Sequence, residues 1–391
     1  MTRPPRTARR TLSFTESVIR EMTRVANLHG SINLAQGFPD FPAPELLKEA
    51  ACRAVKEDLN QYAITWGAPR FRKALVQKYR DFYAMEVDGE REVTVTCGAT
   101  EAMAAVALAL FDPGDEVVVL EPFYENYGPD AILCGAVPVF LTLEPPDYRL
   151  ELDRLRAVIT PRTRALMVNT PNNPTGRVLT GDELEAIATV CREHDLIALT
   201  DEIYEHILYQ GTHVPLATLE GMRDRAVIVS GLSKTFSVTG WRVGTIVAPP
   251  DLTAAIRKVH DFLTVGAPAP LQEACAVGME ELPEEYYRCL REEYRARRDL
   301  LVAALQQAGF GCRAPEGAYY MMADFSALSS SDDTAFAHLL AREGGVATVP
   351  GSSFFRPGAG GRSLVRFAFC KRLETLKEAA HRLQRFAARG A

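Results

Sequence analysis

The 391-residue chain has little of what disulfide-bonded, metal-binding or membrane proteins need. Its eight cysteines, at positions 52, 97, 134, 191, 275, 289, 312 and 370, include no pair with the two-residue gap of metal or redox motifs. They are typical of scattered buried thiols in a reducing cytoplasm. The longest apolar run, residues 102–111, is about half the roughly 20 residues of a membrane span. We therefore expect a cytoplasmic protein without a metal site or a membrane segment.

The chain also lacks a strong charge of either sign. Its 50 acidic and 44 basic side chains give a formal charge of −6, so no positive field attracts nucleic acid or an anionic membrane. Arg3, Arg6, Arg9 and Arg10 make the N-terminus basic, but no apolar stretch follows them as a secretory signal requires. We expect a frayed tail at these arginines. The partner that this composition favours is a small molecule.

Short β-rich runs alternate with helical patterns between residues 93 and 250. This alternation is typical of βαβ units, and it predicts an α/β fold with a mainly parallel sheet flanked by helices. One helix begins at a predicted capping box of Thr180 and Glu183. Its buried face is marked at helical spacing by Leu184, Ile187, Ala188 and Cys191. The seven predicted strands are residues 93–96, 116–120, 139–143, 165–168, 196–200, 226–229 and 243–248.

A change of character near residue 271 predicts a second, smaller α+β domain. The charged segment 280–298 is typical of a solvated helix that leads into it. Prolines at positions 39, 42 and 44 punctuate the N-terminal stretch, and we expect them to carry the chain from one lobe to the other. The predicted organisation is an arm over residues 1–30, a large α/β domain over 31–270 and a small domain over 271–391, which part of the N-terminal segment joins.

Ligands of open α/β sheets bind at the carboxyl ends of the strands, so the loops after the predicted strands are candidate sites. The loop SGLSKTFSVTGWR places Lys234 among small and hydroxyl residues. A partly desolvated lysine can lose its proton and form an imine with an aldehyde. Ser230, Ser233 and Arg242 can bind an anion beside it, the arginine through its planar fork of donors. A lysine next to a phosphate site indicates pyridoxal phosphate.

A second phosphate contact is predicted where Gly98, Ala99 and Thr100 open a helix. A helix N-terminus with small residues exposes free N–H groups and the positive end of the helix dipole. A plain threonine N-cap is the alternative interpretation of these three residues.

Three more loops supply groups that suit a pyridine ring. Asp201 ends an apolar strand, where an unpaired carboxylate is costly, and a protonated pyridine nitrogen would be its cationic partner. An aspartate that caps the next helix is the alternative. Tyr204, and Asn173 in the turn NTPNNPTG, can reach the phenolic oxygen of the ring. Tyr124 in EPFYENY offers a flat face for the ring, although a loop tyrosine also packs readily on a core.

These motifs resemble those of the class I/II aminotransferases of fold type I, which are pyridoxal-phosphate enzymes. The similarity extends over roughly residues 14–385 and rests on SGLSKTFSVTGWRVG, NTPNNPTG, DEIYEH and LAQGFPDF in family order. It points to the branch that holds kynurenine, glutamine, methionine and aspartate aminotransferases. The resemblance implies the fold of that family and transfer of an amino group from an L-amino acid to a 2-oxo acid by a ping-pong mechanism.

The resemblance also implies roles for the matching positions around the cofactor. Lys234 would be the Schiff-base lysine, and Asp201 would pair with the pyridine nitrogen. Tyr204 and Asn173 would hold the ring oxygen, and Tyr124 would stack on the ring. The phosphate contacts would come from the helix N-terminus and the lysine loop described above.

Substrate and subunit contacts are implied as well. Arg366, in SLVRFAFCK, matches an arginine that pairs with the substrate α-carboxylate, and Gly37 and Asn173 complete the implied substrate-binding set. Tyr62, in NQYAITWG, resembles a tyrosine that reaches the phosphate of the neighbouring subunit. The implied assembly is a homodimer with two shared sites.

Two segments depart from the family pattern. Gly231 stands where many relatives carry a phosphate-binding serine, so Ser230 or Ser233 must supply that contact. Residues 264–270 are small and apolar where some relatives place an aromatic residue or a histidine. Since no second arginine is evident for a side-chain carboxylate, we expect methionine, glutamine and aromatic donors to outrank aspartate. The predicted pocket walls are Ile19, Trp66, Gly266, Ala267 and Ala269.

Three other functions fit parts of the sequence. β-Elimination from cysteine conjugates uses the same site and is the alternative activity. A transcription regulator built on this fold needs a DNA-binding module, and only about 30 residues precede LAQGFPDF, in a chain of acidic balance. A metal hydrolase lacks a second histidine at ligand spacing around its four candidate ligands, Asp201, Glu202, Glu205 and His206.

Overall fold

The computed structural model describes residues 6–389, so Arg3 lies outside the described residues. The helices in this range are α1 (Val18–His29), α2 (Glu45–Lys56), α3 (Pro69–Tyr83), α4 (Ala99–Leu110), α5 (Tyr127–Cys134), α6 (Leu152–Ala157), α7 (Gly181–Glu193), α8 (Pro250–Thr264), α9 (Ala269–Glu281), α10 (Glu284–Gln307), α11 (Asp333–Leu339) and α12 (Leu373–Ala388). The strands are β1 (Ile32–Asn33), β2 (Val93–Thr96), β3 (Glu116–Glu121), β4 (Val137–Thr142), β5 (Thr163–Asn169), β6 (Ile197–Asp201), β7 (Ala226–Gly231), β8 (Gly244–Val247), β9 (Gly311–Cys312), β10 (Tyr320–Asp324), β11 (Val346–Ala347), β12 (Val349–Pro350) and β13 (Leu364–Ala368).

All seven predicted strands belong to one sheet, in the order β2-β8-β7-β6-β5-β3-β4. The five strands from β7 to β4 in this order run parallel, and β8 is antiparallel to both of its neighbours. Apolar residues occupy both faces of the strands: Val117 and Val119 pack in one core cluster with α4, and Val118 packs in another with α7. Burial on both faces requires helices on both sides of the sheet. The predicted α/β fold with a mainly parallel sheet is confirmed.

The predicted helix after β5 is α7. The side chain of Thr180 accepts a hydrogen bond from Glu183 N, and the Glu183 carboxylate accepts one from Thr180 N, which completes the predicted capping box. All four residues of the predicted apolar face are buried in the core cluster beneath the sheet. The helix is therefore confirmed together with its start and its buried side.

The C-terminal part forms a smaller antiparallel sheet, in the order β12-β13-β10-β9. The charged segment 280–298 begins in α9 and continues in α10. The N-terminal segment joins this part, since β1 pairs with β11 and Ile19 and Met22 of α1 pack in the same core cluster as Phe336 and Leu376. This arrangement places α1 beside the carboxyl ends of the central strands. The domain boundaries at residues 30 and 270 stay predictions.

The eight cysteines are free thiols. Three of them, Cys191, Cys275 and Cys370, are buried, and Cys52 is exposed. Within residues 6–389 no helix combines the length and the apolar character of a membrane span. A cytoplasmic location stays a prediction.

Candidate active site

A cavity of about 400 Å³ lies at the carboxyl ends of β2, β3, β5, β6 and β7, where the sequence predicted a site. Ser17, Ile19 and Arg20 at the start of α1 close one side, and Tyr320 of β10 closes another. Most of the predicted site residues meet there. Those that line the cavity are Gly37, Ala99, Thr100, Tyr124, Asn173, Asp201, Tyr204, Ser233, Lys234 and Arg242.

Lys234 follows β7 and enters the cavity between two aromatic rings. Its Nζ lies 5.8 Å from the ring centroid of Tyr204 and 5.7 Å from that of Tyr319. Withdrawal from water lowers the pKa of Lys234 to about 8, although Asp201 opposes the shift. A neutral amine is thus accessible near physiological pH. Lys234 can act as a nucleophile toward an aldehyde and as a proton acceptor.

Asp201 ends β6 with only 7% of its surface exposed. Its Oδ2 accepts a hydrogen bond from Tyr127 Oη at 2.7 Å, and its Oδ1 accepts one from Ile203 N at 3.2 Å. Both donors are neutral, and burial raises the pKa of Asp201 despite them. The residues that follow form turns, so the helix-capping alternative does not apply. A buried carboxylate with neutral donors suits a positively charged ring nitrogen in the cavity.

Two polar side chains border the cavity where the phenolic oxygen of a pyridine ring would be held. Tyr204 Oη donates to Tyr320 Oη at 3.2 Å. Asn173 Oδ1 accepts from Arg366 Nη1 at 2.8 Å, and the Asn173 backbone N–H donates to Asn169 at 2.7 Å. Tyr124 stands near them in the wall. The predicted ring-binding residues Tyr204, Asn173 and Tyr124 therefore all line the cavity.

Another group of cavity residues suits an anion. Ala99 and Thr100 present the N-terminus of α4, and Ser233 and Arg242 face the same space. Gly98 does not line the cavity itself, but it lies against the guanidinium. With its φ of +82°, a Cβ there would stand 2.3 Å from Arg242 Nη2. Glycine at position 98 thus permits the arginine to approach the helix N-terminus.

Ser230 does not line the cavity, so its predicted phosphate contact is wrong. Its hydroxyl donates to Glu205 Oε1 at 2.7 Å, in a buried polar network that includes Lys78 Nζ at 2.5 Å from the same oxygen. Strand β7 extends to Gly231, two residues beyond the predicted end, so Ser230 is a strand residue paired with Thr245. Side chains alternate along a strand, and this register directs Ser230 away from the cavity. Of the two serines, only Ser233 lines the cavity.

The same network explains the acidic cluster that suggested a metal hydrolase. Glu205 is engaged by Lys78, Ser230 and Tyr83. Glu202 accepts from Thr200 at 2.9 Å and contacts His213 at 2.7 Å. These carboxylates are satisfied by partners inside the protein and do not converge with Asp201.

Arg366, in β13, is fully buried and does not line the cavity. Its Nη2 donates to the carbonyl of Ala35, while Nε has no hydrogen-bond partner among the described residues. Asn173 and Gly37, which line the cavity, lie beside it in the same region. A buried N–H donor without a partner is costly, so this geometry favours an incoming carboxylate next to Arg366.

The sequence missed several residues of the cavity wall. Tyr127 and Tyr320 contact the predicted site residues, and Glu125 accepts a hydrogen bond from Ser17. No second arginine for a side-chain carboxylate was evident from the sequence, and the structure brings Arg20 to the cavity wall. Because adjacent residues on a helix do not face each other, the prediction for Ile19 gave no signal for Arg20. Of the predicted pocket walls, Ile19 lines the cavity, and Trp66, Gly266, Ala267 and Ala269 do not.

Tyr62 lies outside the cavity of its own chain. It belongs to the segment between α2 and α3 and is 86% exposed. His260 of α8 contacts the carbonyl of Thr65 in this segment at 3.0 Å, and the adjacent Phe262 is 93% exposed. Two large aromatic side chains thus stand at one surface of the chain.

Comparison with known proteins relates this geometry to a family. The family model "Aminotransferase class I and II" matches residues 30–383. The probable N-succinyldiaminopimelate aminotransferase DapC of Mycobacterium tuberculosis is 40% identical over 98% of this chain and 100% of its own. The methionine aminotransferase of Escherichia coli is 38% identical over 94% and 95%. A solved structure of the M. tuberculosis N-succinyldiaminopimelate aminotransferase superposes with a TM-score of 0.95, at 40% identity, over 97% of this chain and 100% of that one.

Proposed function

The chain belongs to the class I and II aminotransferases, which depend on pyridoxal phosphate, and from this premise we propose that it moves the amino group of a neutral L-amino acid to a 2-oxo acid by a ping-pong mechanism. The observation that carries the proposal is the arrangement of Lys234 and Asp201 in one cavity that the N-terminus of α4, Ser233 and Arg242 also line. Each group has the environment that its proposed role requires.

The residues present fit pyridoxal phosphate. A phosphate is doubly charged, and α4 with Ser233 and Arg242 would hold it. Asp201 would hold a protonated ring nitrogen, and Tyr204 and Asn173 would hold the phenolic oxygen. When bound, the cofactor carries the amino group and withdraws electrons from the α-carbon of the substrate.

We propose that Lys234 removes the proton from the α-carbon of the substrate. Its pKa of about 8 makes the amine neutral in a substantial fraction of molecules near physiological pH, and a neutral amine is a competent base. The rings of Tyr204 and Tyr319 restrict water around Nζ. Burial raises the pKa of Asp201, and a protonated ring nitrogen beside it would stabilise its negative charge.

The α-carboxylate of the substrate would bind to Arg366 and Asn173, beside the backbone of Gly37. Arg366 is oriented by Ala35 and Asn173, so its remaining N–H groups, among them Nε–H, are held in place before the substrate arrives. Preorganised donors of this kind select the orientation in which an amino acid enters. Every donor shares this contact, so the choice among donors must come from the rest of the wall.

We propose that the preferred donors are neutral and fairly large. Ile19, Phe38 and Met103 give the wall apolar surface, and the positive charge of Arg20 is accompanied by the negative charge of Glu125. One similar relative acts, by its name, on N-succinyldiaminopimelate, which is large but carries further carboxylates. The other acts, by its name, on methionine, which is a neutral donor. Methionine, glutamine and phenylalanine are therefore expected to outrank aspartate.

The test is a panel of amino acids scored by the spectral conversion of the bound cofactor from its aldehyde form to its amine form. Conversion by methionine, glutamine or phenylalanine supports the proposal, and no conversion by any amino acid contradicts it. An aspartate preference beyond about tenfold, roughly 1.4 kcal/mol, contradicts the proposed specificity. If that preference disappears in Arg20→Ala, Arg20 binds the side-chain carboxylate. Pyruvate release from a donor with a good β-leaving group would show β-elimination instead of transfer.

We also propose a homodimer in which Tyr62 completes the site of the partner subunit. The exposure of Tyr62 and Phe262 supports this assembly, because large aromatic side chains at one surface are typical of protein interfaces. Tyr62 would add a hydroxyl donor to the phosphate end of the neighbouring cavity. Sedimentation of the holoenzyme at the mass of two chains is the expected result.

A further inference from the structure

Tyr320 lies next to Tyr204 in the cavity wall. Tyr204 was predicted from the sequence as a site residue, and Tyr320 was not. The two hydroxyl oxygens lie 3.2 Å apart, and both side chains are buried. Tyr320 begins β10, where the pairing of Tyr320 with Ala368 of β13 fixes the position of its backbone. The ring of Tyr320 lines the same cavity as Lys234 and Asp201. We refer to Tyr204 and Tyr320 as the tyrosine pair.

The hydroxyl of Tyr320 has little room to turn away. Its ring packs against the Arg366 guanidinium, with 4.4 Å between the guanidinium carbon and the ring centroid. A Cβ at Gly37 would lie 1.8 Å from the Tyr320 hydroxyl oxygen, so the backbone there is in close contact with it. The ring of Tyr319 adds a third contact, 4.9 Å between centroids. The tyrosine pair is therefore held together by packing as well as by its hydrogen bond.

The two hydroxyls share one hydrogen bond but carry two protons. In the structure Tyr204 donates and Tyr320 accepts. In the proposed function Tyr204 would donate its hydrogen bond to the negatively charged phenolic oxygen of the cofactor. The bond between the two phenols can then persist only if Tyr320 becomes the donor.

We propose that Tyr320 is a positioning residue that donates to Tyr204 in the holoenzyme and thereby strengthens the hydrogen bond from Tyr204 to the phenolic oxygen. This inference rests on the proposed function. Hydrogen bonds in series polarise one another, so the outer donor makes the inner hydroxyl a better donor. Burial raises the pKa of both phenols, so both remain protonated and each can donate one hydrogen bond. The guanidinium of Arg366 opposes this rise at Tyr320.

The consequence is visible in the absorption of the cofactor. The negative charge of the phenolic oxygen favours a proton on the nitrogen that would join Lys234 to the cofactor. A hydrogen-bond donor to the phenolic oxygen stabilises that negative charge and so weakens its hold on the proton. A weaker donor raises the pKa of that nitrogen. Tyr320→Phe is therefore expected to raise the apparent pKa of the visible band by on the order of half a pH unit. The titration uses the holoenzyme without any substrate.

A double-mutant cycle separates this role from packing. Tyr204→Phe should raise the apparent pKa further than Tyr320→Phe, and the double variant should match Tyr204→Phe, because Tyr320 acts through Tyr204. Tyr294→Phe is the matched control, since it removes a buried hydroxyl without a hydrogen-bond partner among the described residues, from the same core cluster. The control is expected to titrate like the wild type.

The outcomes are distinct. The inference is overturned if folded, cofactor-loaded Tyr320→Phe has the apparent pKa of the wild type. It is also overturned if Tyr320→Phe shifts the apparent pKa equally in the wild-type and Tyr204→Phe backgrounds. A wild-type protein with no pyridoxal band overturns the proposed function and this inference with it. A normal wild-type band beside an unmoved Tyr320→Phe overturns the inference alone. A shift in Tyr320→Phe that vanishes in the Tyr204→Phe background supports it.

Discussion

Replacing Asp201 with asparagine removes one negative charge from the site and keeps the size of the side chain. Asp201 is 7% exposed, and its oxygens accept from Tyr127 and Ile203 at 2.7 and 3.2 Å. An amide has one acceptor oxygen and no charge, so it cannot hold the ring nitrogen of the cofactor as a cation. We expect a loss of about 4 kcal/mol in transition-state stabilisation, on the order of a thousandfold in the rate of proton removal.

The assay measures the rate of a single turnover of the holoenzyme with methionine, monitored through the absorption of the cofactor. The variants are compared at equal cofactor content. Asp130→Asn is the matched control. Asp130 on α5 is also buried, which raises its pKa to about 7, but it does not line the cavity. The control rate should stay within about threefold of the wild type. A near-normal rate in Asp201→Asn, or an equal loss in both variants, would refute the assignment of Asp201.

Three other predictions follow from the same geometry. The rate at which the apoprotein combines with pyridoxal phosphate should rise between about pH 7 and 9, because burial lowers the pKa of Lys234 to about 8 and only the neutral amine reacts; a flat profile contradicts this. Arg366→Ala should reduce kcat/KM for methionine, glutamine and phenylalanine by similar factors, since it removes a contact that all donors share; a loss confined to one donor would assign Arg366 to the side-chain pocket. Mixing inactive Lys234→Ala with weakened Tyr62→Ala should restore activity in hybrid dimers that hold one intact site; inactive hybrids, from parents that fold and exchange subunits, would place Tyr62 outside the partner's site.

The parts of the fold that follow from local patterns could be predicted from the sequence. Strand β2 has the predicted limits, and α7 begins at the predicted capping box of Thr180 and Glu183. Lys234 and Asp201 were predicted to lie together because each follows or ends a parallel strand, and the carboxyl ends of parallel strands lie at one edge of the sheet. Both residues line one cavity. These features depend on short-range periodicity and on a general property of α/β sheets.

The rest depends on the exact register and on packing between distant segments. Ser230 was misplaced because β7 is two residues longer than predicted, and one position along a strand decides the face of a side chain. Tyr320 reaches Tyr204 across 116 residues of sequence, through the pairing of β10 with β13. Arg20 enters the wall because α1 packs against the C-terminal part of the chain. No local pattern encodes these contacts.

The most direct test of the account is the position of the cofactor on the chain. The holoenzyme is reduced with borohydride and digested, and the peptide that carries the pyridoxyl mass is identified. We predict the label on Lys234, in the peptide that contains SGLSKTFSVTGWR. A label on any other lysine, or no label in a protein that transfers amino groups, would contradict the central claim that Lys234 binds pyridoxal phosphate in this cavity.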